Sequence, residues 1–481
     1  MTWCGNGWPL IPAYQPRVSW VFLRGLGLIY LAAFASLAVQ IQGLIGADGI
    51  LPIAAKLQQF SGAGKYWFFP TLFWLDASDR ALQLACYAGM AAAALLVLDV
   101  FTRAALIGCF LLYLSLATAG QDFTAFQWDV FLPEAGFLAI FLTWGSGIII
   151  FLYRWLIARF MFMGGVVKLA SGDPSWANLS ALDYHYLTLP LPAPLAYYAY
   201  YLPDWFNRLC VAGVFFIELV VPFFVFFPRR WRLFAAWSFI LLQCSIIATG
   251  NYGFFNLLTI LICLFLFEDR DLEKILPEKL SARITSRQPV AGKTASVLAG
   301  CWAFLVLFVA ATHFWMSQSH RRPVVPVYTM IKTVAAFSVI NNYGPFAVMT
   351  TTRPEIIVEG SSDGEHWQEY SFRYKPDRLD KPLRHNIPHQ PRLDWQLWFA
   401  ALAAPEKPLW LNSFLERLRQ GSPRCWRCWG TTPSPATRPG SYACASIDTT
   451  IRHGNDARPA AASGAGCHCT SIDGHEQNRQ S

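Results

Sequence analysis

The chain has 481 residues, of which 54% are hydrophobic, 16% aromatic and only 14% charged, with a formal net charge of +8. That is more apolar and less charged than a water-soluble globular protein, which excludes a single soluble core. The basic residues sit in short loops and a tail rather than on one face, so they fit the positive-inside bias of membrane proteins and exclude nucleic acid as the expected partner.

Residues 1–20 read as an N-terminal interfacial segment: Trp3, Trp8 and Trp20 suit the headgroup layer, and Arg17 and Arg24 hold that end inside. From Val21 to Phe314 come roughly eight apolar runs, most about 16 to 25 residues long, enough for a helix to cross ~30 Å of hydrocarbon. Lipid offers no partners to exposed backbone groups, so the fold class is a polytopic α-helical membrane bundle over 21–314. The first run, Val21–Ile45, outlasts a signal-peptide core and no small-residue cleavage site closes it; it is expected to remain as a span.

An aromatic loop, Gly46–Arg80, then lies at the far headgroup layer. Runs at Ala81–Val100 and Ala104–Ala119 follow, and a fourth, Phe131–Tyr153, returns to Arg154 and Arg159. Residues 155–208 are irregular, and read as re-entrant, interfacial or a broken span. Clearer runs resume at Leu209–Phe227, Leu233–Thr249, Phe254–Phe267 and Ala295–Phe314. If the irregular stretch crosses once, Arg229, Arg230 and Arg232 join Lys274, Lys279, Arg283, Arg287 and Lys293 inside, and the Lys/Arg count favours that. The domain after Pro323 then lies opposite the N-terminus.

From Pro323 the pattern changes to alternation. Ile356 and Val358 precede a polar turn at Ser361, Ser362, Asp363 and Gly364, and Tyr370, Phe372 and Tyr374 recur every second residue, which predicts a hairpin. With further short strands over Ala335–Thr350, residues 323–420 are expected to form a small all-β, sandwich-like soluble domain.

Intramembrane acids are costly, so Glu134 and Glu218 stand out. With Lys168, Asp173 and His185 they make a candidate intramembrane polar network, whose plain role is a structural clasp. The alternative is a membrane-embedded enzyme in which Lys168, desolvated, acts as a base with His185 and Glu218. Asn251 and Asn256 are placed to cap helix ends, and Gln40 and Gln42 sit where the first span leaves the membrane. In the soluble domain His389, Arg392, Asp394 and Trp395, with His385, form a patch suited to dock a client chain or the membrane bundle. Asp363 and Trp367 at the hairpin are further client-binding candidates. No nucleotide-binding loop, metalloprotease helix or nucleophile elbow occurs. No cofactor or metal is expected from residues 1–420, and no internal repeat suggests a transporter.

Several blocks resemble the lipase maturation factor family: Gly43-Leu-Ile-Gly-Ala-Asp-Gly-Ile-Leu-Pro52, Gly165-Val-Val-Lys-Leu-Ala-Ser-Gly-Asp-Pro-Ser-Trp176 and Ala181-Leu-Asp-Tyr-His-Tyr186. Others are Gly250–Thr259, Ile340-Asn-Asn-Tyr-Gly-Pro-Phe346 through Thr350, Arg353–Gly364 and Pro388–Ala401. The resemblance implies a maturation factor, or chaperone, that helps secreted lipase-like clients fold and assemble, in the endoplasmic reticulum membrane of eukaryotes or the cytoplasmic membrane of bacteria. The element around Lys168 is also similar to one in the vitamin K-dependent carboxylase family, although Leu169 stands where that family has a second lysine.

Cys425-Trp-Arg-Cys428 and Cys467-His-Cys469 have zinc or thiol-redox spacing. Read from the third codon position, however, the bases under Cys425–Gly430 permit the Leu-Ala-Leu-Leu-Gly type helix end that the resemblance implies after Gly421–Pro423. A shifted frame near Arg424 therefore accounts for the cysteines, and residues 424–481 are not expected to pack.

Overall fold

The structure is a computed structural model and describes residues 11–62, 64–286, 289–319, 321–361, 363, 365–377, 381–403, 408–421 and 442–448. Helix α1 (Pro16–Ala38) opens with a proline in its first turn, where no intrahelical donor is lost. Its free N–H groups are capped from across the molecule: Asp269 Oδ1 accepts from Arg17 N and Val18 N, each at 3.0 Å. Helix α2 (Asp79–Val97) is capped by Ser78, whose Oγ accepts from Ala81 N at 3.2 Å. Gly89 on α2 admits the ring of Phe34 against the backbone, and any Cβ there would overlap that ring. Helix α3 (Thr102–Ala119) follows.

The apolar run Phe131–Tyr153, expected to be one span, is two helices: α4 (Gln127–Leu142) and α5 (Gly147–Ala170). Between them Gly145 adopts φ +75°, a conformation that side chains resist, and Ser146 Oγ accepts from Ile148 N at 3.3 Å to start the new helix. Arg154 and Arg159 consequently lie within a second span, not at a surface. The rest of the irregular stretch is short helices at Pro174–Ala177, Ala181–Thr188 and Pro194–Tyr200.

Helix α6 (Asp204–Phe215) continues through a π-turn, Phe216–Val220, into Val221–Phe224. Then come α7 (Arg229–Thr249), α8 (Phe255–Ile262) with a tighter last turn at Cys263–Leu266, α9 (Glu278–Ser286) and α10 (Lys293–Ser319). Among the described residues seven helical segments are long and apolar enough to cross a membrane, and α4 and α8 are shorter. Contacts between connections define two ends. At one, Arg17 pairs with Glu273 at 2.7 Å, Trp20 donates to Asp99 at 3.1 Å and Arg103 to Thr143 at 3.1 Å. At the other, Asn251 donates to the carbonyl of Arg384 at 2.8 Å and Ser36 accepts from Gln390 N at 2.9 Å. The C-terminal unit therefore sits on the end opposite the N-terminus, called the outer end below.

That unit comprises α11 (Val325–Ala336), β1 (Glu355–Ser361), β2 (Gln368–Tyr370), α12 (Arg392–Leu402), α13 (Leu409–Arg419) and β3 (Tyr442–Asp448). The sheet is antiparallel in the order β2-β1-β3, with Val358 opposite both Tyr370 and Ala445. Ile356 and Val358 turn to the core, as the alternation predicts. In the connection, Asp363 Oδ1 accepts from Glu365 N and His366 N at 2.9 and 2.8 Å; Ser362 and Gly364 lie outside the described residues.

A polytopic bundle followed by a small unit with an antiparallel sheet matches the expectation from sequence, with differences in detail: helices α11, α12 and α13 accompany a single sheet where an all-β sandwich is expected. Ala335–Thr350 forms no strand, because α11 ends at Ala336 and the segment beyond it plunges into the bundle. β3 falls in the stretch expected not to pack; its backbone pairs with β1 from Glu355 to Ser361. Residues 422–441 and 449–481, with the suspected frame break and Cys425, Cys428, Cys467 and Cys469, lie outside the described residues.

Candidate functional site: the joint between bundle and C-terminal unit

The residues read as polar landmarks gather at the outer end. Arg392, the first residue of α12, donates to Asp129 Oδ2 and Oδ1 at 2.8 and 2.7 Å and to the carbonyl of Phe123 at 2.7 Å. Tyr113 adds a hydroxyl donor to Asp129 at 2.7 Å. Both charged side chains are fully buried, and a buried guanidinium tolerates that only when a carboxylate meets it with matched geometry. Around the pair, Trp395 packs at 5.0 to 5.8 Å centroid distances on Trp128, Tyr252 and Phe126.

Neighbouring contacts are backbone-directed. Gln40 donates to the Gln390 carbonyl at 2.7 Å and accepts from Arg392 N at 3.1 Å. Asn251 Oδ1 accepts from Asn386 N at 3.0 Å, and Asn256 donates to Gln243 at 2.6 Å across two helices. These amides thus bridge elements where helix capping was expected. Arg417 on α13 donates to Gly49 O at 3.1 Å in the loop after α1, and Arg353 donates to Leu187 O at 2.9 Å.

Ser36 Oγ, which accepts from Gln390 N at 2.9 Å, is also hydrogen-bonded to His389 Nδ1 at 2.9 Å. Burial first, then the charges of Arg392 and Arg373, pull this imidazole down to about 4, which favours its neutral form. Asp394 accepts from Tyr374 N and Lys375 N at 3.1 and 3.0 Å, and burial pushes its carboxyl up to about 6. Of the two docking partners open to this patch, the bundle takes Arg392 and Trp395. Asp394 turns into its own unit, leaving Asp363 exposed and Trp367 half-buried at the hairpin.

The intramembrane candidates separate into two clusters. Glu134 pairs with Arg159 and accepts from Asn341 N, Asn341 Nδ2 and Tyr343 Oη at 3.0, 2.9 and 2.6 Å. Asn341 and Tyr343 belong to the segment after α11, which re-enters the bundle so that Tyr343 lies against Phe131 and Phe160. The alternation there predicts short strands of the C-terminal domain instead; the Asn-Asn-Tyr-Gly-Pro turn chemistry is the signal against them.

Lys168 forms the second cluster, bonded to both oxygens of Glu218 at 2.8 and 2.7 Å and lying 5.3 Å above the ring of Trp176. Glu218 projects from the π-turn of α6, an irregularity often found where a side chain must be re-aimed. Lys168, Glu218 and His185 line one small cavity of about 120 Å³. His185 does not complete a relay: its ring packs on Phe346 at 5.4 Å. Asp173 stands apart as the cap of Pro174–Ala177, accepting from Ser175 N at 2.8 Å and Met349 N at 2.5 Å. Among the described residues no three His, Cys, Asp or Glu side chains group as metal ligands.

The quoted blocks, scattered from Gly43 to Ala401, thus meet at one interface. Comparison with known proteins agrees. The lipase maturation factor transmembrane domain matches residues 17–274, and the lipase maturation factor C-terminal domain matches 339–447. The chain is 34% identical to lipase maturation factor 2 of Xenopus tropicalis, over 83% of this chain and 73% of that protein. It is 32% identical to human lipase maturation factor 2, over 83% and 74%, and 32% identical to mouse lipase maturation factor 1, over 83% and 76%. No solved structure matches the chain. On both domains and on these relatives, the chain belongs to the lipase maturation factor family.

Proposed function

We propose that this integral membrane protein is a maturation factor for secreted, lipase-like chains, acting without chemistry of its own. The observation that carries the reading is the joint: a buried ion pair and a ring of backbone-directed side chains lock the C-terminal unit onto the outer end of the bundle. A unit fixed there is held where translocated chains emerge, and binding partly folded clients lowers the aggregation of their exposed apolar surface. The fitting location is the endoplasmic reticulum membrane in a eukaryotic cell, with the unit in the lumen, and the cytoplasmic membrane in a bacterium. The client contact is assigned to the hairpin, with Asp363 and Trp367.

The test is co-expression with a secreted lipase and measurement of lipase activity per unit of lipase protein. A variant carrying Asp363→Ala and Trp367→Ala is expected to lose most of the gain while keeping its membrane level and thermal unfolding. Full lipase activity with that variant would remove the hairpin from the mechanism. Full activity after deletion of 323–420, with the bundle still inserted, would remove the whole reading.

A further inference from the structure

At the inner end, far from the joint, lies an open cleft of about 560 Å³ between the start of α1, the α2–α3 turn, the α4–α5 turn and α9. Arg24, Arg103 and Arg283 line it, and Asp99 is the one carboxylate among its lining residues. That carboxylate is already engaged: it meets Arg24 Nη1 at 2.5 Å and accepts from Thr102 Oγ1 at 2.8 Å and Trp20 Nε1 at 3.1 Å.

Arg24 is only 8% exposed, yet its Nε and Nη2 have no hydrogen-bond partner. Such a group is expensive to bury unless an acceptor arrives. Arg103 and Arg283 are exposed at the rim and have no carboxylate partner among the described residues. Of the other arginines at this end, Arg17 pairs with Glu273, Arg229 with Asp271 and Arg232 with Glu268. The charged side chains lining the cleft, three arginines and one carboxylate, leave it a surplus of two positive charges. Leu23, Val97 and Ile284 give it an apolar stretch of wall beside these charges.

We infer that this cleft binds the phosphate of an anionic phospholipid headgroup, with the acyl chains along the apolar wall. The basic pocket, the aromatic Trp20 and the position at the helix ends place it in the headgroup layer, where anionic lipid is the abundant phosphate. Arg24 supplies the buried donors, and Arg103 and Arg283 close over the headgroup from the rim.

Full-length protein purified in detergent is incubated with phosphatidylglycerol or phosphatidylcholine and the retained lipid is measured by native mass spectrometry, with and without millimolar inorganic phosphate. Phosphatidylglycerol is expected to be retained over phosphatidylcholine. The exposed substitutions Arg103→Gln and Arg283→Gln are expected to lower its retention about five-fold each, without altering thermal unfolding. Equal retention of the two lipids, or unchanged retention in the double variant, overturns the inference. Displacement of phosphatidylglycerol by inorganic phosphate overturns the lipid assignment and shows a free-anion site.

Discussion

Arg392 and Asp129 stand 263 positions apart in the chain and meet in a two-pronged ion pair with no exposure to solvent. One belongs to the C-terminal unit and the other to a membrane helix. Asp129→Ala leaves the guanidinium buried and unpaired, and removing one partner of such a pair costs about 3–5 kcal/mol. The variant is expected to release the C-terminal unit, seen as rapid proteolytic cutting between 323 and 391 while the bundle survives. Asp129→Leu with Arg392→Met should recover most of the resistance; wild-type proteolysis of the single variant would show that the pair does not hold the joint.

Tyr343→Phe removes one donor from Glu134 and leaves the Asn341 and Arg159 contacts in place. A loss of about 1.5–3 kcal/mol follows from one hydrogen bond to a charged group. Asn341→Leu deletes one donor to the same carboxylate together with the Nδ2 bonds to the carbonyls of Val130 and Ser338, and should lower the detergent melting temperature further. Equal melting of both variants and the parent would contradict the arrangement.

Lys168 and Glu218 distinguish a clasp from a catalytic pair. Lys168→Ala strands a buried carboxylate and should reduce the amount of folded protein, whereas Lys168→Met with Glu218→Leu replaces the pair by apolar volume and should restore it. For a clasp, lipase recovery returns with the fold. A double variant that is folded and abundant yet inactive would instead assign Lys168 a chemical role.

Acid should act on the joint in two opposing ways. His389 titrates near 6.5 when unfolded and about 4 when docked, so the stability its neutral ring contributes is present above ~6.5 and is lost as pH falls through about 4. Asp394 is the reverse: about 6 in place against ~3.9 unfolded, so its burial weighs against the fold as pH rises through about 6. Melting curves between pH 4 and 7 separate them. The advantage of the parent over His389→Asn should shrink toward pH 4, and its position relative to Asp394→Asn should improve. Differences that do not change with pH would rule out both titrations as contributors.

Much of this architecture is legible in the sequence because hydrocarbon imposes it. Long uncharged runs were enough to expect the bundle, whereas the placement of lysine and arginine left the side of the C-terminal unit dependent on the number of crossings within 155–208. The break at 143–146 was hidden because Thr143 and Trp144 continue an apolar run, and only Gly145-Ser146 marks the turn. The strands expected over 335–350 failed for a different reason: apolar residues there face the interior of a bundle rather than the second layer of a sandwich, and short-range patterning does not tell the two apart. Glu134 and Glu218 could be picked out as costly charges, but their partners Arg159, Asn341 and Lys168 lie 25, 207 and 50 positions away, beyond any local rule.

The re-entry of Ile340–Phe346 carries a consequence for biogenesis. Synthesis is vectorial, so every span up to α10 has entered the bilayer before the residues that fill the middle of the bundle have left the ribosome. Until then Glu134 and Arg159 face an unfilled slot, and the membrane domain closes only when a late segment turns back from the far side. A nascent chain halted before residue 339 is thus inserted but lacks the Asn341 and Tyr343 donors to Glu134.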